Sequence, residues 1–421
     1  MKKKMLILMG ALLALAPLAS CTPGGETVNH AQGITDTTVK VGNTAAVSGA
    51  FAGVGVPFNA GMEAAFKKYN DDSANKRKIE FVTYDDTFDA TLGTNYTKKL
   101  YEEDKIFSLV GHFGTPTVGA TLEFIKDTGL PMIYAATGIN ALYADADPLS
   151  PVMAVQPIYK TDGRIMTARL LSEKIYGGTK DQVFPTSGKI GVLHTSSDDG
   201  VSILEGIRAE AEFQKIPATN VLVHQISADN AAAINTAVQT LKTAGVTAIV
   251  IASNQAPFKA SLASLQSNGL NVPVFTSYTN ADLTAGFDSE VNYDFDIFTN
   301  AWLDITTASG LADYLEFADC ITDFGKPDYA VNSFAMAGYV AAAVFIEGLQ
   351  RVATVPTNLI TWKLFTFGME VSPINIPMGG TVNFGHGQRI GIDSMSLSKY
   401  DNATHTLVKV HDIQSLPEIR G

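Results

Sequence analysis

The sequence predicts an α/β protein built from two doubly wound α/β/α lobes joined by hinge crossovers. Three observations carry this. Short β-branched runs alternate with amphipathic stretches, the connections between them are brief, and the alternation stops and restarts once across a proline-bearing break. Strands joined by helices pair in parallel, so each block implies a parallel sheet covered by helices on both faces.

The first block starts near residue 36. Val39–Val47 reads as a strand, and Pro57–Tyr69 as a helix with Phe58, Met62, Ala65, Phe66 and Tyr69 at helical spacing. Lys78–Tyr84 is a strand, Ala90–Glu103 a helix, Ile106–Val110 a strand, Thr117–Thr128 a helix and Leu130–Tyr134 a strand. Asp145–Thr161 then carries Pro148, Pro151 and Pro157 and reads as a hinge or crossover. The second block runs Lys189–His194, Asn220–Ile226, Ala248–Ala252 and Val272–Thr276 as strands. Its helices are Val201–Phe213, Ala231–Ala244 and Pro257–Asn268. The remainder is less regular. Leu311–Phe324 and Tyr329–Gln350 are helical, Pro356–Phe365 is a shorter helix, and residues 379–385 form a turn and short strand. Ile392–Tyr400 and Thr406–Val410 look like a closing antiparallel pair.

At 421 residues and 46% hydrophobic, the chain can bury two sizeable cores. Its formal charge is −12. An acidic surface of that kind is repelled by phosphate backbones, and no basic patch interleaved with aromatics is present, so nucleic acid is excluded as a partner.

The leader is the most specific signal. Lys2-Lys3-Lys4 precedes an apolar run from Met5 to Ala16, which is too short to cross a bilayer as a helix and fits a secretory signal. The run enters Leu18-Ala19-Ser20-Cys21, which resembles the lipobox of bacterial lipoproteins, with Cys21 as the lipidated residue. Residues 1–20 are then a signal peptide. Residues 21–35, with no apolar period, read as a tether from the lipid-modified Cys21 to the globule. The expected address is extracytoplasmic, on a bacterial membrane. Cys320 remains as the other thiol, so no disulfide framework is possible, and its helical surroundings predict a small buried residue.

Catalytic motifs are weak. The seven histidines form no His-x-x-x-His pair for zinc, and neither a Gly-x-Ser-x-Gly elbow nor a P-loop occurs. Ser396-Leu397-Ser398-Lys399 matches Ser-x-x-Lys, but it lies in an alternating strand and lacks its companion motifs. We therefore expect no enzyme activity, no cofactor and no metal; a hydrolase on this scaffold is the least favoured alternative.

In open α/β sheets, ligands sit beyond the carboxyl ends of the strands. Three loops stand there in the first block: Ser48 to Gly55, a glycine-rich loop leading to a helix near Pro57; Gly111-His112-Phe113-Gly114-Thr115; and Ala135-Ala136-Thr137-Gly138. Small residues let backbone amides approach a ligand, and helix starts favour a carboxylate.

Residues 36 to about 412 resemble the type 1 periplasmic binding proteins of the Leu/Ile/Val-binding family. The segment Gly111 to Leu142, Tyr84-Asp85-Asp86 with Asp89, and Ser48-Gly49 followed by Gly55 and Gly61 carry the likeness. The resemblance implies a first lobe of residues 36–156 plus about 291–370 and a second of 157–290 plus about 371–421. It also implies an interlobe cleft that closes on a small amino acid, carboxylate or amide and presents it to an ABC-type import permease. A ligand sensor that shows its closed state to a signalling receptor is the alternative with the same fold. By position, the ligand's carboxylate would meet Thr115, beside Gly114, and the trio Ala136, Thr137 and Gly138. Thr115 is equally suited to cap a helix.

The departures fall on the other side of the cleft. Where the amino-acid binders place an acid for the ligand ammonium, this chain has Tyr278; aromatics become Asn254 or Gln255 and Asp199, and the first-lobe loop aromatic becomes Val54. Asp199, Asp282 or Tyr278 could meet an ammonium. Asp198 and Asp199 also suit a solvated helix N-terminus. Phe88 and Gly114 replace the family's disulfide pair.

Overall fold

In the computed structural model, which describes residues 30–282, 287–288 and 291–421, two parallel sheets are wound the same way. The expected leader, Cys21 and most of the tether lie outside the described residues.

The first lobe contains β1 (Thr38–Ala45), α1 (Ala52–Asp71), β2 (Lys78–Asp85), α2 (Ala90–Glu102), β3 (Ser108–Val110), α3 (Thr115–Thr128), β4 (Met132–Ile133) and β5 (Val152–Met153). Its sheet order is β2-β1-β3-β4-β5, all parallel. The second lobe opens with α4 (Tyr159–Ser172) and continues through β6 (Ile190–His194), α5 (Asp198–Phe213), β7 (Val221–Gln225), α6 (Ala231–Ala244), β8 (Ala248–Ala252), α7 (Gln255–Asn268), β9 (Val274–Thr276) and β10 (Ile297–Ala301). The chain returns to the first lobe as α8 (Ala308–Asp323), α9 (Ser333–Arg351), α10 (Trp362–Glu370) and the hairpin β11 (Ile374–Asn375) and β12 (Thr381–Val382). It ends in the second lobe with β13 (Ser394–Asp401), β14 (Thr406–Ser415) and α11 (Leu416–Arg420). The second sheet runs β14-β13-β10-β9-β8-β6-β7, with β13 and β14 antiparallel. In both sheets the first strand lies inside the second, which puts a switch point at the cleft.

Local chemistry explains the boundaries. Asp89 caps α2 by accepting from the Thr91 and Leu92 amides, and Asn230 caps α6 through the Ala233 amide. Gly129, Gly245 and Gly269 end α3, α6 and α7 in the left-handed region. β3 and β8 are buried along their whole length, as strands covered on both faces should be. Each lobe has one close helix pair. A Cβ on Gly61 of α1 would fall 1.9 Å from the Ala335 carbonyl of α9, and one on Gly338 would fall 1.9 Å from that of Phe58. Gly163 and Gly206 play the same part between α4 and α5.

Four expectations change. The glycine-rich stretch before Pro57 is already helical from Ala52, and Pro57 lies inside α1; Gly55 permits this, because a Cβ there would meet the Ala46 carbonyl at 2.1 Å. The tether does not extend to residue 35, since Ala31 and Ile34 are buried and the Ala31 amide bonds to the Ile360 carbonyl. The proline-bearing crossover gives way to α4 at Tyr159, a helix the sequence had not signalled. Finally, β10 pairs with β9 in the second sheet, so the chain leaves that lobe after Ala301, well beyond residue 291. The last return falls between Arg389 and Ser394 rather than at 371. The Met378 amide still bonds Asp313 of α8, and the Ile392 amide runs beside the first crossover to reach the Val155 carbonyl at 2.9 Å.

Candidate ligand-binding cleft

A cavity of about 360 Å³ lies between the lobes at the carboxyl ends of both sheets. The first two crossovers contribute to it. Phe113, Gly114 and Thr115 follow β3, Tyr134 and Ala136 follow β4, and Gln156 and Tyr159 come from the first crossover. Asn254 and Gln255 follow β8, Tyr278 and Thr279 follow β9, and residues 301–306 form the second crossover. Ser333 and Phe334 at the start of α9, with Ser398 and Lys409 from the closing pair, complete the walls.

The walls are chiefly apolar and aromatic. Phe51 and Phe88 stack with centroids 3.9 Å apart, and Phe88 meets Phe113 edge-on. Asp86 positions this corner: buried, it accepts from Thr44, Thr117 and the Phe88 amide, and burial raises its carboxyl above the ordinary range. The two positions of the absent disulfide are neighbours here, since a Cβ on Gly114 would touch the Phe88 ring at 3.2 Å. Gly114 stands at φ 101, a conformation that favours glycine.

Of the residues singled out in the sequence, Val54, Gly114, Thr115, Ala136, Asn254, Gln255 and Tyr278 line the cavity. Thr137, Gly138 and Asp199 do not; they stand behind Tyr159. The Thr115 and Thr137 hydroxyls are 2.9 Å apart. Burial pushes the Tyr159 phenol up to about 12, helped by the charge of Asp199 and opposed by hydrogen bonds from Thr137, Thr115 and the Gly138 amide. The phenol oxygen therefore occupies the place the resemblance reserves for a ligand carboxylate. Asp199 is itself buried in the first turn of α5 and faces that phenol, not the cavity. Asp282 accepts from the Ser333 hydroxyl at 2.9 Å, which ties the second lobe to the N-terminus of α9.

Tyr134, Tyr159, Trp302 and Phe334 went unrecognised in the sequence. The first ends a strand, and the others belong to crossovers or a helix start that only the assembled lobes bring to the cleft. His112 lies behind the site, fully buried, with its imidazole driven down to about 3 by desolvation. It stays neutral and bonds Thr121 and Thr97. Cys320 is buried against the Ala64 carbonyl, and burial raises its thiol to about 11. Among the described residues no cluster of three or more metal-ligating side chains occurs.

The chain is similar to known proteins in sequence pattern and in fold. The family model for periplasmic binding proteins matches residues 38–403. A search of curated proteins finds no match. Among solved structures, a fatty acid ABC transporter substrate-binding protein from Thermomonospora curvata superposes with a TM-score of 0.72 at 17% identity, covering 93% of this chain and 96% of that one. A branched-chain amino acid ABC transporter protein from Thermus thermophilus with bound valine gives 0.71 at 15% identity, covering 92% and 99%. A solute-binding protein of an ABC transporter from Rhodopseudomonas palustris BisB5, in complex with 3,4-dihydroxybenzoic acid, gives 0.67 at 17% identity, covering 90% and 99%. At these identities the likeness establishes the fold.

Proposed function

Because this chain belongs to the periplasmic binding protein family, we propose that it is the extracytoplasmic, lipid-anchored receptor of an ABC-type importer. It captures a small solute with an apolar body between its lobes. The observation that carries this reading is the cavity itself, lined from both sheets and floored by the crossovers that would hinge the lobes. A solute held on one lobe gains contacts from the other only on closure, so binding shifts the population toward the closed form that a permease recognises. The Ser333–Asp282 bond joins the two lobes at the edge of that cavity. The many aromatic and aliphatic side chains in the walls support an apolar body on the expected small amino acid, carboxylate or amide. The Leu18-Ala19-Ser20-Cys21 motif supports anchoring through Cys21.

Thermal shift with leucine, valine, decanoate and 4-hydroxybenzoate, followed by scattering on any hit, tests the reading. A true ligand at about one hundred times its Kd stabilises by about 2.7 kcal/mol and compacts the protein. Chemical turnover of a bound compound would refute it. Radiolabelled fatty acid should be incorporated by the wild type and lost in Cys21→Ala.

A further inference from the structure

A carboxylate is met best by hydroxyls and a backbone amide near the start of a helix, and the first lobe gathers such a set beside the cavity. Thr115 opens α3, its hydroxyl lies 2.9 Å from that of Thr137, and the Gly138 amide follows. All three serve one side chain of this protein, the Tyr159 phenol. Packing holds that phenol there. The Tyr159 amide donates to the Gly138 carbonyl at 2.6 Å, and a Cβ on Gly138 would fall 2.8 Å from the Tyr159 ring and 2.9 Å from the Tyr278 hydroxyl oxygen. Thr137 is 1% exposed and, like Gly138, stands behind the cavity wall, whereas Tyr159 forms part of that wall. The ring is thus a plug between the cavity and the groups suited to hold an anion.

Charge reinforces the plug. Asp199, buried in the first turn of α5, acts on the Tyr159 phenol from behind. An anion that displaced the ring would meet that carboxylate, and like charges in a desolvated site repel strongly. The ring also keeps Asp199 out of the cavity, so Asp199 offers nothing to an ammonium there. Among the described residues the charged groups lining the cavity are Asp304 and Lys409, and they pair with each other at 3.0 Å. Asp304 is further held by the amide and hydroxyl of Thr306. A charged solute would lose its hydration in this cavity without gaining an unpaired counter-charge.

We propose that Tyr159, backed by Asp199, sets the specificity of the cleft by barring carboxylates, and that the solute is an uncharged molecule with an apolar body. This deepens the solute-capture reading and rests on it; of an amino acid, a carboxylate and an amide, it selects the amide. Calorimetry with two matched pairs tests it: isovaleramide with isovalerate, and benzamide with benzoate. The purified protein should bind the amide of a pair at least about tenfold more tightly than the acid. Tyr159→Leu keeps the inner half of the ring's packing and vacates the outer half, the room a carboxylate group needs, and adding Asp199→Asn removes the opposing charge. The double variant should gain at least about tenfold in affinity for an acid over wild type, with Tyr159→Leu between the two. Tyr159→Ala with Asp199→Asn, expected to gain in the same direction, serves where the leucine variant loses its cooperative melt. An acid bound by the wild type as tightly as its amide overturns the inference. So does a double variant that gains no affinity for either acid, even where the wild type is silent with every probe. Either result leaves the capture reading standing; turnover of a bound probe removes that reading itself.

Discussion

Tyr278, at the end of a second-lobe strand, donates its phenol hydroxyl to the carbonyl of Pro157 in the first crossover, 121 residues earlier in the chain. The same oxygen accepts from Gln156, and the ring lies near that of Tyr159 at 6.1 Å. Tyr278 thus fastens the cleft wall to the hinge. Tyr278→Phe keeps the ring but leaves the Pro157 carbonyl and Gln156 amide short of a partner. The expected loss is about 1–3 kcal/mol in urea denaturation, with weaker ligand binding. Unchanged stability would show that water replaces the hydroxyl freely.

Asp162 sits fully buried in the first turns of α4, facing Ser277, the Tyr278 amide and Asn300, whose amide donates at 2.7 Å. Burial raises its carboxyl from 3.8 to about 7, against those hydrogen bonds. The folded protein therefore holds this proton more tightly than the unfolded chain does. The resulting stability is fully present below the unfolded value and disappears as pH rises through the folded one. Asp162→Asn cannot lose it. The stability of Asp162→Asn relative to wild type should climb between pH 4 and pH 7 by on the order of 3 kcal/mol and level off above pH 7. A difference that stays flat across that range would contradict this placement of the proton.

Much of the fold was legible because local chemistry marks it. Asn230 starts α6 and Gly245 stops it, so that helix was placed to the residue, as was β8 between a left-handed stop and the next helix. α4 escaped because it is buried on most sides, with Tyr159, Asp162, Ile165, Met166 and Arg169 all covered, so no apolar stripe shows. The candidate site was half legible for a related reason. Thr115, Ala136 and Asn254 follow strands, and position alone points to them. Tyr159 and Trp302 reach the cleft only because three crossovers run side by side, a long-range arrangement with no local period. The role of Thr137 and Gly138 could not be read either, since a side chain from the other lobe occupies the place they frame.

The contact between α1 and α9 depends on two residues without side chains. Gly61→Ala would drive a methyl to 1.9 Å from the Ala335 carbonyl, where backbone on both helices must move. Gly338→Ala meets the Phe58 carbonyl equally closely. Helix propensity alone would favour alanine by about 1 kcal/mol, but overpacking typically costs about 1–3 kcal/mol and more where backbone is struck. Each variant should be less stable than wild type in urea denaturation. At Gly53, which has open space around its missing Cβ, the same change should be neutral or stabilising. Equal losses at all three sites would show that packing is not the cause.

Arg389 ties the last return of the chain to the first lobe. Its guanidinium is 1% exposed, donates to the Ser150 and Gln388 carbonyls, and meets the Glu370 carboxylate at 2.6 Å. Glu370 in turn accepts from the Leu149 amide. The charges compensate each other in a site with little water, so removing one strands the other. Arg389→Met should cost about 3–5 kcal/mol of unfolding free energy. Adding Glu370→Gln removes the stranded carboxylate while keeping an acceptor for Leu149, and should recover a substantial part of that loss. A double variant no more stable than Arg389→Met would assign the damage to the lost carbonyl contacts at Ser150 and Gln388 instead of the unpaired charge. The two single variants and the double, measured by urea denaturation as one cycle, separate these causes.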